Sequence, residues 1–309
     1  MIDIETSTVL PQLHGGASFP VPRNESYKLR AVALRRKSLR QRLAWGIPLW
    51  IIALAFLLPF AWMISTSLKN DADAYTIPMQ WIPASPKWSN YADVLFGSAS
   101  ILPAFGNSFI VAAFRVVGEL LTASLAGYAF ARLKFRGRDK VFLIYLGTAI
   151  IPAQLLLVPR FIYFQNLGLY DHLGALILPG MFTVLGTFLM RQYFVGLPAE
   201  YADAARTDGA SEWVIFRRIY FPMAGPVLSA LGILSFVWSW NDYESPLVLI
   251  SSPSHYTLPL ALTNFVDATG TIQPGLTMAA AVLSILPIFV VFLVLQKRFV
   301  QAMSSSGLK

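Results

Sequence analysis

Six long apolar stretches divide this chain, near residues 43–65, 103–131, 141–163, 173–194, 226–250 and 276–298. Their apolar residues run together and show neither strict alternation nor a one-sided stripe. A helix needs about 20 residues to cross a hydrocarbon layer of roughly 30 Å, and each stretch is long enough. The pattern predicts an all-α membrane protein of six transmembrane helices. Between stretches four and five lies a different kind of sequence, polar and patterned, from Leu197 to Pro222. A few residues suffice to turn a chain around, so a long ordered loop there suggests a docking surface.

The fifth stretch is the least apolar. Its cluster Trp240-Asn241-Asp242-Tyr243-Glu244 predicts either a functional helix or a broken one. Span two carries Arg115 and Glu119, four apart and so on one helix face. They read either as an ion pair within the helix or as part of a pathway, because a lone charge at a helix centre costs about 2.5–3.5 kcal/mol on insertion scales. Span three contains Pro152, Gln154, Pro159 and Arg160, and its prolines predict kinks, which neighbouring helices must then satisfy. The segment 66–102, with Pro78-Met-Gln-Trp81-Ile-Pro83 and Trp88-Ser-Asn90-Tyr91, reads as an ordered interfacial loop.

Of 309 residues, 56% are hydrophobic and only 13% charged, against about 25% charged in soluble domains. The net charge of +8 raises the question of nucleic acid, and position answers it. Basic residues cluster before span one (Arg23 to Arg42), between spans two and three (Arg132 to Lys140), around the long loop (Arg191, Arg206, Arg217, Arg218) and at the C-terminus. The alternate connections hold Lys69 and Lys87, then none between 251 and 275. That is the positive-inside bias. It predicts cytosolic termini and a cytosolic long loop, and leaves no case for nucleic-acid binding. The first apolar run starts too late for a cleaved signal peptide, so span one reads as an uncleaved anchor behind a loosely ordered basic arm, 1–44. Segment 45–102 then holds the first span and outer loop, 103–298 the core with the other five spans and the long loop 197–222, and 299–309 a tail.

No cysteine is present, which removes disulfides and thiolate metal sites. His14, His172 and His255 stand apart, outside the apolar runs, and read as solvated or interfacial. The chain has no phosphate-binding GxxxxGK[ST], no HExxH and no GxSxG. It has no metal site and no catalytic constellation, and is not expected to be an enzyme. A bundle that moves a solute uphill then draws on an ion gradient or on a partner.

The loop has its own order. Pro198 starts a small-residue helix (Ala199, Ala202, Ala204, Ala205), Gly209 ends it in a left-handed turn, and an amphipathic stretch (Trp213, Ile215, Phe216, Ile219) runs to Pro222, with Pro226 beyond. Asp203 and Arg206, three apart, are spaced to pair. Asp203-Ala204-Ala205, three residues, Gly209, nine residues, Ile219, one residue, Phe221-Pro222 resembles the EAA motif of binding-protein-dependent ABC importer permeases, with Asp for Glu and Phe for Leu. Ser65-Thr-Ser-Leu-Lys69, Asn107-Ser108, Ala126-Gly-Tyr-Ala-Phe-Ala-Arg-Leu133, Asn166-Leu-Gly-Leu169 and Ser239-Trp-Asn-Asp242 extend the likeness from about residue 57 to the end. The chain is similar to MalG-like permease subunits of carbohydrate importers of the maltose-importer type.

The resemblance implies the type I importer (MetI-like) permease fold in a bacterial cytoplasmic membrane. It implies a coupling helix docking on a cytosolic ATPase dimer, through Glu200, Asp203, Ala204, Ala205, Arg206, Asp208, Gly209, Ile219 and Pro222. ATP and Mg would sit on that partner, with no cofactor on this chain. A homologous second permease, an extracytoplasmic sugar-binding protein and membrane lipid complete the partners. For the substrate pathway the polar and aromatic intramembrane positions are Asn107, Arg115, Glu119, Gln154, Trp238, Trp240, Asn241, Asp242 and Glu244. Asn241 and Asp242 read equally well as caps of a helix break before Pro246. A glycerol-phosphate-type polyol stands beside sugar as substrate, and an ion-coupled transporter or channel subunit as the alternative function.

Overall fold

The computed structural model describes residues 25–98, 100–265 and 272–306. His14 and the first part of the basic arm fall outside them. The chain divides into two units, Met1–Leu58 and Pro59–Lys309. The first contributes most of helix α1 (Glu25–Ser67). The arm 1–44, expected to be loosely ordered, is helical from Glu25. From Gly46 onward α1 is long and apolar enough to span a membrane, and Leu49, Trp50, Leu54 and Phe56 are all exposed, as lipid contact requires.

The second unit is helical throughout its core: α2 (Ser89–Phe96), α3 (Leu102–Arg132), α4 (Arg138–Gly147), α5 (Leu157–Asn166), α6 (Leu173–Gly180), α7 (Val184–Gly196), α8 (Glu200–Thr207), α9 (Glu212–Ile215), α10 (Gly225–Trp240), α11 (Glu244–Leu249) and α12 (Pro274–Ser306). The central helix is α3, packed along α6, α7 and α10, with α12 against α10. Lipid-embedded helices gain nothing from expelling water between them, so close packing must hold them together. Here glycine supplies it. A methyl on Gly127 would sit 2.6 Å from the Met190 Cβ and 2.9 Å from the Arg191 backbone nitrogen. On the cleft side of α3, a methyl on Gly180 would meet the Arg115 guanidinium at 2.0 Å.

Among the described residues four segments are long and apolar enough to cross a membrane, and six if two bent pairs each count as one. The six spans expected from hydropathy are thus four continuous ones plus two bent pairs, and the kinks expected of span three fall in one of these pairs. The third bends by 90° between Arg138–Ile150 and Ala153–Asn166. Pro152 stands at the corner and cannot donate to the preceding turn. The fifth is shorter than expected: α10 stops at Trp240, three residues turn, and α11 follows. At its other end Glu212–Met223 meets α10 at 74°. Helix continues through Pro222 to Met223, so the break falls at Ala224, beyond the expected proline. A wide π-type turn at Phe216–Tyr220 precedes Pro222 and relieves the ladder that proline interrupts.

Away from the 197–222 loop, one carboxylate joins two connections. Asp171 has φ 59°. Its Oδ1 accepts from the backbone nitrogens of Ser251 (3.0 Å) and Ser252 (2.9 Å), and its Oδ2 from the Ser252 hydroxyl. The Ser252 bonds hold this carboxyl well below the usual carboxylate range, with Ser251 and His255 adding to them. On the segment that follows α1 burial pushes the Lys69 ammonium down; its Nζ donates to the Gln80 carbonyl at 2.5 Å and lies 3.9 Å from the Trp62 ring centroid.

Folding lowers the Asp171 pKa, so its contribution is complete above the unfolded carboxylate value of about 3.9 and fades as pH falls through and below it. Asp171→Ala is expected to destabilise the detergent-solubilised protein by about 1–3 kcal/mol at neutral pH. In thermal melts the difference from wild type should narrow below about pH 4.

Candidate functional sites in the 197–222 loop and an intramembrane cleft

Helix α8 is short, and its shape is set at both ends. Glu200 and Asp203 lie in its first turn, where the helix dipole favours negative charge. At the other end Gly209 has φ 79°. Its N–H reaches the Arg206 carbonyl (3.0 Å) and the Ala210 N–H reaches that of Ala205 (2.9 Å). This paired bonding is a Schellman cap, and it needs a left-handed residue at Gly209. Ser211 caps the next helix, accepting from the Val214 nitrogen.

One face of α8 is buried by Ala202, which packs among Tyr128, Phe194, Phe216 and Tyr220. Ala205 and Ile219 are half-buried against the same cluster. The outward face carries Glu200, Tyr201, Asp203, Ala204 and Asp208, all exposed, and Pro222 is exposed further on. The pair expected from spacing forms, with Arg206 Nη1 2.8 Å from Asp203 Oδ1. Arg206 also reaches across the Gly209 turn, its Nε 2.8 Å from Glu212 Oε1. Glu212 was not singled out by the sequence, and neither was Tyr128, whose hydroxyl donates to Glu212 Oε2 at 2.7 Å. Arg132 donates to the carbonyls of Phe194 and Leu197, at the entrance to the loop.

Some distance along α3 a polar cleft of about 860 Å³ opens. It brings together six of the expected pathway residues: Arg115, Gln154, Trp238, Asn241, Asp242 and Glu244. Arg160 and Tyr243 line it as well. Gln154 Nε2 donates to Glu244 Oε2 at 3.2 Å. The helix break at 241–243 is capped as one reading had it: Asp242 Oδ1 accepts from the Ser245 nitrogen (3.1 Å) and Asn241 Nδ2 donates to the Val237 carbonyl (2.8 Å).

Three expected pathway residues lie elsewhere. Trp240 is buried between Phe105 and Phe236, its Nε1 donating to the Ser284 carbonyl at 3.0 Å. Asn107 fastens a loop, donating to the carbonyls of Ser254 (2.8 Å) and Tyr256 (3.0 Å). Glu119 is buried and accepts from the Thr183 hydroxyl. The ion pair within α3 does not form. Arg115 pairs instead with Asp242 at 2.8 Å, because Gly180 leaves room for the guanidinium and the broken helix turns the carboxylate toward it. The two side chains are 19% and 17% exposed, so the pair is largely desolvated.

With this geometry in view, the sequence profile described as "Binding-protein-dependent transport system inner membrane component" matches residues 120–305. The chain belongs to this family. It is an inner-membrane permease component, not an enzyme. Among its relatives, the arabinooligosaccharides transport system permease protein AraQ of Halalkalibacterium halodurans is 32% identical over 271 residues, 86% of this chain and 97% of that one. The sn-glycerol-3-phosphate transport system permease protein UgpE of Pectobacterium atrosepticum is 32% identical over 260 residues, 82% and 92% of the two chains. A crystal structure of a bacterial ABC transporter involved in import of the acidic polysaccharide alginate contains a chain with TM-score 0.75 and 26% identity, covering 85% of this permease and 98% of that chain.

The Arg115–Asp242 pair makes a measurable prediction. Removing one partner strands a charge away from water, which costs about 3–5 kcal/mol where burial is complete and less here. Arg115→Gln and Asp242→Asn should each lower the stability of the purified permease by about 1–3 kcal/mol. The double variant should recover much of that loss in a double-mutant cycle of melting temperatures.

Proposed function

We propose that this permease is one half of the membrane channel of an ATP-driven sugar importer, and that α8 is its coupling helix. The carrying observation is the construction of α8. It is a Schellman-capped helix with Ala202 buried beneath it and a low-relief face of Tyr201, Ala204 and Asp208 turned outward. Exposed Trp213, Arg217 and Arg218 continue that surface. Such a projection fits a groove on another protein. The basic residues at the loop and at both termini support a cytosolic position for this face, toward a partner ATPase dimer that would carry ATP and Mg.

On this reading the residues that meet the ATPase are Glu200, Asp203, Ala204 and Asp208. Ala205, Arg206, Gly209, Ile219 and Pro222 hold the loop in shape. A homologous second permease completes the pathway, a binding protein delivers solute to the outer face, and lipid covers the remaining surface. The cleft lined by Arg115, Gln154, Asp242 and Glu244 offers hydrogen-bonding groups to hydroxyls, with half-exposed Trp238 as a stacking platform. Sugars and polyols fit this chemistry, in keeping with the arabinooligosaccharides and sn-glycerol-3-phosphate for which the relatives AraQ and UgpE are named.

Gly209→Asp tests the reading. A non-glycine residue held at positive φ costs on the order of 1–3 kcal/mol, enough to deform a cap without unfolding the spans. The variant should insert normally, yet lose co-purification of the ATPase and at least tenfold of the uptake of whichever sugar the cognate binding protein carries. Uptake that persists in the absence of any ATPase subunit sinks the proposal and favours an ion-coupled carrier.

A further inference from the structure

The loop holds a connection that neither docking nor substrate binding uses. Arg206, on α8, grips Glu212 Oε1 beyond the Gly209 turn, and the other carboxylate oxygen of Glu212 takes the Tyr128 hydroxyl. Both oxygens of one side chain are thus engaged, one by the docking helix and one by α3. Tyr128 is 4% exposed. Its ring is wedged by Phe216 at 5.2 Å, Tyr220 at 5.3 Å and Phe194 at 6.1 Å between centroids. A ring held this way cannot follow a pull on its hydroxyl alone, so the pull passes to the α3 backbone. Thirteen residues back along the same helix, about 20 Å at 1.5 Å per residue, Arg115 holds Asp242 in the cleft.

We infer that Tyr128 and Glu212 form a strut that transmits displacement of α8 to α3 and so to the cleft. The inference rests on the reading that α8 docks an ATPase. Tyr128 and Glu212 are positioning residues, touching neither solute nor ATP. The competing account is that apolar packing of Ala202 and Ile215 carries the movement alone. The two accounts part at the tyrosine hydroxyl. Tyr128→Phe keeps the ring and its packing but removes the bond to Glu212. Charge-assisted bonds of this kind are the directional ones, whereas ring packing tolerates sliding.

The chain contains no cysteine, which supplies a clean probe. Tyr243→Cys puts a single thiol on the exposed lining of the cleft. In the full complex, reconstituted with its ATPase and second permease, labelling of that thiol by a membrane-impermeant maleimide is timed with and without ATP, Mg and vanadate. Nucleotide should change the labelling rate in the otherwise unaltered chain. Adding Tyr128→Phe should shrink that change by about threefold to tenfold, the range expected when a coupling element is removed, while the ATPase still co-purifies. Glu212→Gln should act alike, and the double variant should be no worse than the more severe single one. A full nucleotide response in Tyr128→Phe overturns the strut, as do losses that multiply in the double variant. Because Glu212 is half-exposed, its variant reports even if Tyr128→Phe proves unstable. Failure of any ATPase to co-purify with the wild-type chain is a distinct result, which removes the docking reading and the strut with it.

Discussion

A polar group inside a hydrocarbon layer has no water to turn to, so it must find its partner within the protein. The interior of this permease follows from that demand. Its helices are interrupted at 181–183 and 241–243, and each interruption is stitched by side chains from elsewhere. Thr122 donates to the freed Met181 carbonyl and Tyr145 to that of Thr183 at 3.0 Å. Asp242 takes up the Ser245 nitrogen and, with its other oxygen, Arg115. Irregular backbone at membrane depth is tolerated where it lines a cavity, and the second interruption does so. The broken helices and the polar cleft are therefore one feature seen from two sides.

The same demand explains why α3 is central. It carries the groups that satisfy its neighbours (Arg115, Glu119, Thr122), and it approaches α6 and α7 over glycine closely enough for those groups to reach. Its loop end bears Tyr128 and Arg132, which hold the 197–222 loop through Glu212 and through the carbonyls of Phe194 and Leu197. Loop and cleft are thus both fastened to one continuous helix, Leu102–Arg132.

What the sequence disclosed was what lies within a turn or two of itself. The left-handed Gly209, the Asp203–Arg206 pair, the corner at Pro152 and the capped break at Asn241–Asp242 all depend on neighbours in the chain, and all were legible. The partner of Arg115 lies 127 positions away, and no local spacing points to it; Glu119, four residues on, was the nearer candidate and bonds to Thr183 instead. Trp238 and Trp240 looked alike beside the polar cluster. Two helical residues differ by about 200° of rotation, so one faces the cleft while the other packs into the core. Glu212 escaped notice because its importance comes from Tyr128, which the sequence places in another helix.

The glycine at position 180 has a meaning for sequence drift. A side chain there is incompatible with a long cation at 115, since even a methyl would overlap the guanidinium. A long cation at 115 without a carboxylate at 242 would in turn be stranded. The three positions, on α3, on α6 and in the 241–243 turn, lie far apart in the chain, yet none can change alone without harm. Descendants of this permease would therefore be expected to inherit the trio intact or to exchange it as a set, so that three scattered columns of an alignment would behave as a single character.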